Sequence, residues 1–232
     1  MDTRAVITPV ADVREAPNTA AMRGKFETQL VYGETFVVNE TKNGWCRGAC
    51  AHDGYAGWVE EKYLGALPAP THIVVAAHAH AYRDASIKSP CVASLSFGSR
   101  VSAATGWIFE KHLAPIESIE KDHVATAMKF LETPYYWGGR SGFGIDCSGL
   151  VQVALARAGI ATPRDTEEQV KAIGRAVDTP ARGDIVFFPG HVGIMVDDRD
   201  ILHANAFHMK TLIDPLTDVA TRSGPITAIR RL

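Results

Sequence analysis

One cysteine of this 232-residue chain lies where a helix is expected to begin. Cys147 stands in the stretch GFGIDCSGLVQVALARAG at 142–159, directly after Asp146, whose side chain suits a helix N-cap. The unpaired backbone N–H groups and the dipole of a helix start favour a thiolate. Position alone leaves two interpretations open, because free cysteines are most often small buried hydrophobic residues.

A nucleophilic cysteine needs a base, and the base needs a group that orients it. Of the nine histidines, His191 follows a predicted turn at the start of a strand, and His203 lies on the next predicted strand, LHANA. A hairpin with Gly193 or Met195 opposite His203 would put both rings on one face, whereas a slip of one residue would separate them. The sequence therefore predicts a Cys–His–His site that depends on this register.

The role of each residue follows from its chemistry. Cys147 attacks a carbonyl carbon, His191 holds the thiolate and later protonates the leaving amine, and His203 fixes the tautomer of His191. Backbone N–H groups at the helix start supply part of an oxyanion hole. Taken alone, each residue keeps an ordinary alternative: a core position for the cysteine, and a solvated or capped side chain for either histidine.

Two further groups of residues resemble metal ligands only in part. Cys46 and Cys50 are closely spaced, but no second close pair follows, and their alternation with Gly48 fits one face of a strand. His78 and His80 alternate as well, without an acidic or cysteine partner. We therefore expect no metal and no other cofactor.

The elements expected to position the site begin near residue 118. HVATAMKFLETP predicts a helix that ends near Pro134, a second helix covers 147–158 and ends at Gly159, and a third runs from Thr166 towards Gly174. Four strand-like segments follow: DIVFFPG, HVGIMVDD, DILHANA and PITAIRRL. Helices followed by an antiparallel sheet are typical of an α+β fold.

The preceding part of the chain contains a short internal repeat. GWVEEKYLGAL at 57–67 and GWIFEKHLAPI at 106–116 each follow short alternating strands broken by glycine. This pattern predicts two small β-barrels, the second shorter than the first, with ALPAPTH at 66–72 as a linker. The predicted domains are 1–68, 69–117 and 118–232.

Composition and charge narrow the possible partners. The chain has 46% hydrophobic and 22% charged residues, and its net charge of −2 without a basic stripe argues against nucleic acid or an anionic membrane. No apolar run approaches the roughly 20 residues of a transmembrane helix. Four scattered cysteines are too few for a disulfide framework, and no signal peptide is recognisable, so we expect a cytoplasmic protein.

The motifs together resemble a known family. TPYYWGGRSGFGIDCSGLVQ, PRDTEEQ, ARGDIVFFPGHVGIMV and ILHANA, spanning about 120–215, look like the NlpC/P60 cysteine peptidases of bacterial peptidoglycan. The two preceding segments look like bacterial SH3 domains, an arrangement similar to that of the YkfC-type γ-D-glutamyl-L-diamino acid endopeptidases. The resemblance implies a papain-like α+β catalytic domain, the triad Cys147, His191 and His203, and no metal.

The resemblance also implies a set of substrate contacts. They lie in the P-Y-x-W-G-G stretch, beside the nucleophile, in the R-D-T segment and in the first SH3-like domain: Tyr135, Trp137, Asp146, Ser148, Arg164, Asp165, Thr166, Tyr55 and Glu60. Within this set the Tyr135 hydroxyl is expected to assist the oxyanion. Asp165 suits a free α-ammonium group and Arg164 an α-carboxylate. Glu61 is the alternative to Glu60.

The implied activity is hydrolysis of the γ-D-Glu–diamino acid bond in murein peptides that carry a free N-terminal L-Ala. The alternative is a peptidoglycan-binding SH3 module that carries a cell-wall amidase of broader specificity. Binding to intact sacculi would favour the peptidoglycan-binding module, and a requirement for a free N-terminal amine would favour the endopeptidase.

Overall fold

A computed structural model of the chain describes residues 2–18, 22, 24 and 27–232. It divides into two compact units, the first formed by residues 1–118 with 140–143 and the second by 119–139 with 144–232. None of the helices among the described residues is long and apolar enough to cross a membrane.

The first half of the first unit is an antiparallel β structure. A five-stranded sheet has the order β6-β5-β4-β1-β7, and β2 pairs with β3. Cys46 and Cys50 point into its core on the same face of β5, as the alternation predicted. The strands are β1 (Asp2–Val6), β2 (Val10–Val13), β3 (Thr28–Val31), β4 (Thr35–Lys42), β5 (Trp45–Cys50), β6 (Ala56–Glu60) and β7 (Leu64–Gly65).

The second half of this unit holds two three-stranded sheets, ordered β10-β9-β12 and β11-β8-β13. The two copies of the short internal repeat have the same local structure. Each runs from a strand through one 3₁₀ turn, Glu61–Tyr63 or Glu110–His112, into a short strand. The strands are β8 (His72–Val74), β9 (His78–Tyr82), β10 (Cys91–Ser96), β11 (Arg100–Val101), β12 (Trp107–Ile108) and β13 (Leu113–Pro115).

Residues 140–143, which include β14 (Arg140–Ser141), group with the first unit. Arg140 is buried and donates from both terminal nitrogens to Glu34, at 2.8 and 3.0 Å. Burial raises the pKa of Glu34, but the Arg140 charge and hydrogen bonds outweigh it and hold the pKa below its ordinary value. The bidentate geometry compensates the desolvation of both groups.

The second unit combines four helices, among the described residues, with a six-stranded antiparallel sheet ordered β16-β21-β17-β18-β19-β20. Helix α2 buries Leu150, Val151, Ala154 and Leu155 and packs against β18 and β19. The elements are α1 (His123–Met128), β15 (Gly144–Ile145), α2 (Cys147–Arg157), α3 (Thr166–Ala172), β16 (Arg175–Ala176), β17 (Ile185–Phe188), β18 (His191–Met195), β19 (Asp200–Asn205), β20 (Lys210–Pro215), α4 (Leu216–Ser223) and β21 (Ala228–Arg231).

The predicted helices agree with the structure in two cases and differ in one. The second and third were placed correctly, with Gly159 in the left-handed region at φ 79° after α2. The first was predicted too long, because Phe130 and Leu131 donate to carbonyls only three residues back and Glu132 adopts φ 65°. Helical hydrogen bonding therefore stops well before Pro134.

Candidate active site

Cys147 is the first residue of α2 and is 8% exposed. The backbone N–H groups of Ser148 and Val192 both act to lower the pKa of its thiol, so both lie near the sulfur. Because Val192 directly follows His191, the start of β18 is brought to the sulfur. The sulfur at the helix start is thus nearly enclosed, with one backbone N–H group from α2 and one from β18 near it.

The loop before Cys147 is held by its N-cap residue. Asp146 Oδ1 accepts from the backbone N–H of Gly149 at 2.7 Å, and Oδ2 accepts from that of Gly138 at 2.8 Å. Oδ2 also accepts from Arg164 Nη2 at 2.7 Å, while Arg164 Nη1 donates to Ser148 Oγ at 2.7 Å. The carboxylate therefore caps the helix and ties it to the buried guanidinium.

Arg164 is one of the largest fully buried side chains of the chain, at 2% exposure. Its Nη2 also donates to the Gly139 carbonyl at 3.3 Å, and Gln169 Nε2 donates to the Ser148 carbonyl at 2.9 Å. The residues on both sides of Cys147 are thus held by buried hydrogen bonds, in which the Arg164 guanidinium can only donate and the backbone carbonyls can only accept.

The predicted histidine register is confirmed. Ile194 pairs with Leu202 and Met195 with Ile201, which sets Gly193 opposite His203 and places both histidines on one face. His191 Nε2 lies 2.7 Å from His203 Nδ1, so the two rings share one hydrogen bond. A Cβ at Gly193 would lie 3.0 Å from the Cβ of His203, so glycine permits this close approach.

Beyond His203 the hydrogen-bond network continues to side chains that were not predicted from the sequence. His203 Nε2 lies 3.2 Å from Asn205 Nδ2 and 3.3 Å from Asp214 Oδ2. Asp214 also accepts from Arg222 and lies 3.4 Å from His208 Nε2. Asp214 lies on β20 and Arg222 on α4, two elements that were not predicted. The available signals were the alternation of residues in KTLID and the apolar-periodic segment that Pro215 and Gly224 bound.

Burial controls the protonation of the central pair. It raises the pKa of the Cys147 thiol to about 12, with the Asp146 carboxylate adding to the rise. It lowers the pKa of His191 to about 3, with the charges of His203 and Arg222 acting in the same direction. Both directions favour a neutral thiol and a neutral imidazole.

Sequence comparisons agree with this arrangement. The NlpC/P60 family profile matches residues 132–222, and the profile of the bacterial dipeptidyl-peptidase Sh3 domain matches 13–64. The chain carries an NlpC/P60 domain and a bacterial SH3 domain. The NlpC/P60 match includes Cys147, His191 and His203, the residue types of a cysteine peptidase site.

Two relatives are similar along most of their length. The chain is 26% identical over 239 residues to dipeptidyl-peptidase 6 of Lysinibacillus sphaericus, covering 86% of each protein. It is 28% identical to the γ-D-glutamyl-L-lysine dipeptidyl-peptidase of Bacillus subtilis, covering 77% of this chain and 72% of that protein.

The fold has a close counterpart among solved structures. The crystal structure of an NlpC/P60 family protein from Bacillus cereus superposes with a TM-score of 0.85, at 22% identity and over 99% of each chain. The α+β, papain-like class with an N-terminal SH3 domain is therefore confirmed.

The aromatic residues before Cys147 occupy two environments. Tyr135 is half-buried, and burial, with the Cys147 and Asp146 charges next, raises the pKa of its hydroxyl, which therefore stays protonated and able to donate. Trp137 is 49% exposed. Tyr135 is thus brought near the sulfur, and its predicted oxyanion role is compatible with its protonation state.

The other predicted substrate contacts differ in accessibility. Asp146, Ser148 and Arg164 are buried and bonded to one another, whereas Asp165 and Thr166 are half-buried at the start of α3. The first three hold the helix start, a role that the sequence predicted for Asp146 alone, as the N-cap. Their contact with substrate stays a prediction.

Two predicted contacts lie in the SH3 part of the first unit. Tyr55 packs against its hydrophobic core. Glu60 forms an ion pair with Lys62 at 2.6 Å and lines a cavity of about 220 Å³ together with Asp12, Trp45 and Tyr63. Substrate contact by either residue stays a prediction.

Proposed function

We propose that the chain is an endopeptidase that hydrolyses the γ-D-Glu–diamino acid bond of peptidoglycan-derived peptides with a free N-terminal L-Ala. The observation that carries this proposal is the hydrogen bond between His191 and His203 on neighbouring strands, with Val192, the residue after His191, acting on the enclosed sulfur of Cys147. The substrate class is supported by the relatives, two of which are named γ-D-glutamyl-L-lysine dipeptidyl-peptidases.

Acylation uses the two neutral groups in concert. His191 Nε2 is occupied by His203, which leaves Nδ1 as the nitrogen that takes the Cys147 thiol proton. The sulfur attacks the γ-carbonyl carbon of D-Glu, and the oxyanion is stabilised by backbone N–H groups of the helix start and by the Tyr135 hydroxyl. The carbon–nitrogen bond then breaks, and the proton on His191 passes to the leaving amine.

Deacylation reverses the proton path. His191 takes a proton from water, the resulting hydroxide attacks the thioester carbon, and the carbon–sulfur bond breaks. The proton returns to the sulfur as L-Ala-D-Glu leaves, so the resting thiol and imidazole are regenerated.

Mass spectrometry of the products tests the proposal. L-Ala-γ-D-Glu peptides ending in L-Lys or meso-diaminopimelate should release L-Ala-D-Glu, and the same peptides with an acetylated N-terminus should be cleaved much more slowly. Cys147→Ala should abolish cleavage, and Cys91→Ala, at an exposed cysteine, should retain it. Equal cleavage of free and acetylated peptides would reject the requirement for a free amine.

A further inference from the structure

The inner end of the histidine network holds a carboxylate that the reaction steps above do not use. Asp214 Oδ2 lies 3.3 Å from His203 Nε2, and its side chain is only 13% exposed. The same oxygen accepts from Arg222 of α4 and lies 3.4 Å from Nε2 of His208. Three basic side chains therefore converge on one oxygen, and one of them is a member of the proposed triad.

Two neighbours compete for the single site on His203 Nε2. Asn205 Oδ1 accepts from the backbone N–H of His208 at 2.8 Å, which turns its Nδ2 donor towards His203 at 3.2 Å. A nitrogen of a neutral imidazole either donates or accepts, but it cannot do both. His203 Nε2 therefore either donates to Asp214 or accepts from Asn205.

The choice determines the tautomer of His191, the proposed base. If His203 carries its proton on Nε2, its Nδ1 accepts from His191 Nε2–H, and His191 Nδ1 is left as a lone pair. If His203 instead accepts from Asn205, its Nδ1–H donates to His191 Nε2, and the proton of neutral His191 must sit on Nδ1. Only the first arrangement can take the thiol proton of Cys147.

We propose that Asp214 is a positioning residue for the proposed reaction: its carboxylate holds the proton of His203 on Nε2 and thereby keeps Nδ1 of His191 free to act as the base. The relay runs from Asp214 through His203 and His191 to Cys147. No net proton moves along it before substrate is attacked, since each ring keeps one proton.

Arg222 has a defined part in this relay. Burial raises the pKa of Asp214, but the hydrogen bonds from His203 and Arg222 outweigh burial and hold the pKa below its ordinary value. Asp214 is therefore ionised at neutral pH, and an ionised carboxylate can only accept. This one-way character distinguishes it from Asn205, whose amide can donate.

The inference rests on the proposed function only for its kinetic readout. Nitrogen NMR of protein labelled with ¹⁵N in the histidine rings reports directly which nitrogen carries the proton, with His191→Gln and His203→Gln used for assignment. We expect the Nε2–H form of both rings at neutral pH. In Asp214→Asn the new amide can donate to His203 Nε2, so we expect both rings to switch to Nδ1–H.

Kinetics give the second readout. Asp214→Asn should lower kcat about 10- to 100-fold with little change in KM, as expected for loss of a group that orients a catalytic ligand or base. Asp214→Glu, which keeps a carboxylate, should recover part of that loss. Asp218→Asn removes an exposed carboxylate from the neighbouring helix and should change neither tautomer nor kcat.

The outcomes separate this inference from the proposed function. A tautomer switch without cleavage of any murein peptide would support the role of Asp214 and reject the proposed substrate. The same tautomer in wild type and Asp214→Asn, or an Nδ1–H form of His203 in the wild type, would overturn the inference. The wild-type spectrum decides even if Asp214→Asn fails to fold.

Discussion

The cysteine half and the histidine half of the site are held together by different kinds of hydrogen bond. Around Cys147, the charged and backbone groups have fixed roles: the Asp146 carboxylate accepts, and the Arg164 guanidinium and the backbone N–H groups donate. Around His191 and His203, each ring nitrogen can either donate or accept. The first half has one hydrogen-bond arrangement, and the second has at least two.

This difference predicts where substitutions take effect. Changes at the cysteine half should lower the free energy of unfolding, because they leave buried charges without partners. Replacement of the histidine side chains should lower activity at nearly constant stability, because it alters proton positions and leaves the fold in place. The following predictions test that division, beginning with the largest expected effect.

His191→Ala should lower kcat/KM by about 10³-fold, since both the base and the acid of the reaction are lost. The unfolding midpoint in urea should stay close to that of the wild type. His72→Ala, at an exposed histidine, is the control and should match the wild type in both measurements. Retention of more than a tenth of the activity by His191→Ala would contradict its assignment as the base.

Arg164→Met should lower the free energy of unfolding by about 3–5 kcal/mol, because it leaves the buried Asp146 carboxylate without its charged partner. Its matched control is Arg182→Met, which removes an ion pair with Asp122 whose side chains are 53% and 42% exposed. That exposed pair should contribute less than about 1 kcal/mol. Similar losses in urea denaturation for the two variants would remove the contrast between the halves.

Gly193→Ala should cost about 1–3 kcal/mol of stability and also slow turnover. The added Cβ would lie 2.7 Å from the Ile201 side chain and 3.0 Å from the Cβ of His203, so the strands or the ring must shift. Denaturation and steady-state kinetics should therefore change together. Wild-type turnover in this variant would show that the spacing of the two strands is not critical.

The smallest expected effect is the change per pH unit in the rate at which iodoacetamide alkylates Cys147. Because burial raises the pKa of this thiol to about 12, the rate should increase with pH up to the alkaline range. The slope should approach about tenfold per pH unit, equivalent to about 1.4 kcal/mol. Peptide mass spectrometry separates this signal from that of exposed Cys91. A plateau between about pH 4 and 8 would instead indicate a preformed thiolate–imidazolium pair.

Local signals in the sequence were sufficient for much of the catalytic unit. Asp146 and Gly159 bound α2, and the face alternation of β18 and β19 allowed the His191–His203 pairing to be stated as a choice of register. Those features depend on residues close in sequence, which is why they could be predicted.

What could not be predicted depends on contacts between distant residues. Arg164 is buried against Asp146, 18 positions earlier, and neither sequence segment alone indicates this role at the helix start. Asp214 and Arg222 were missed because β20 and α4 were not predicted and because no single residue there looks catalytic by itself. The domain boundaries at 68 and 117, the substrate contacts and the cytoplasmic location remain predictions.

Trapping the acyl-enzyme is the most direct test of the central claim that Cys147 is the nucleophile and His191 its base. Protein mixed with L-Ala-γ-D-Glu-L-Lys, quenched in acid and digested should carry an L-Ala-γ-D-Glu group on the peptide that contains Cys147. His191→Ala should show far less of this adduct at the same time point. Cleavage by Cys147→Ala, or an adduct on another residue, would contradict the account.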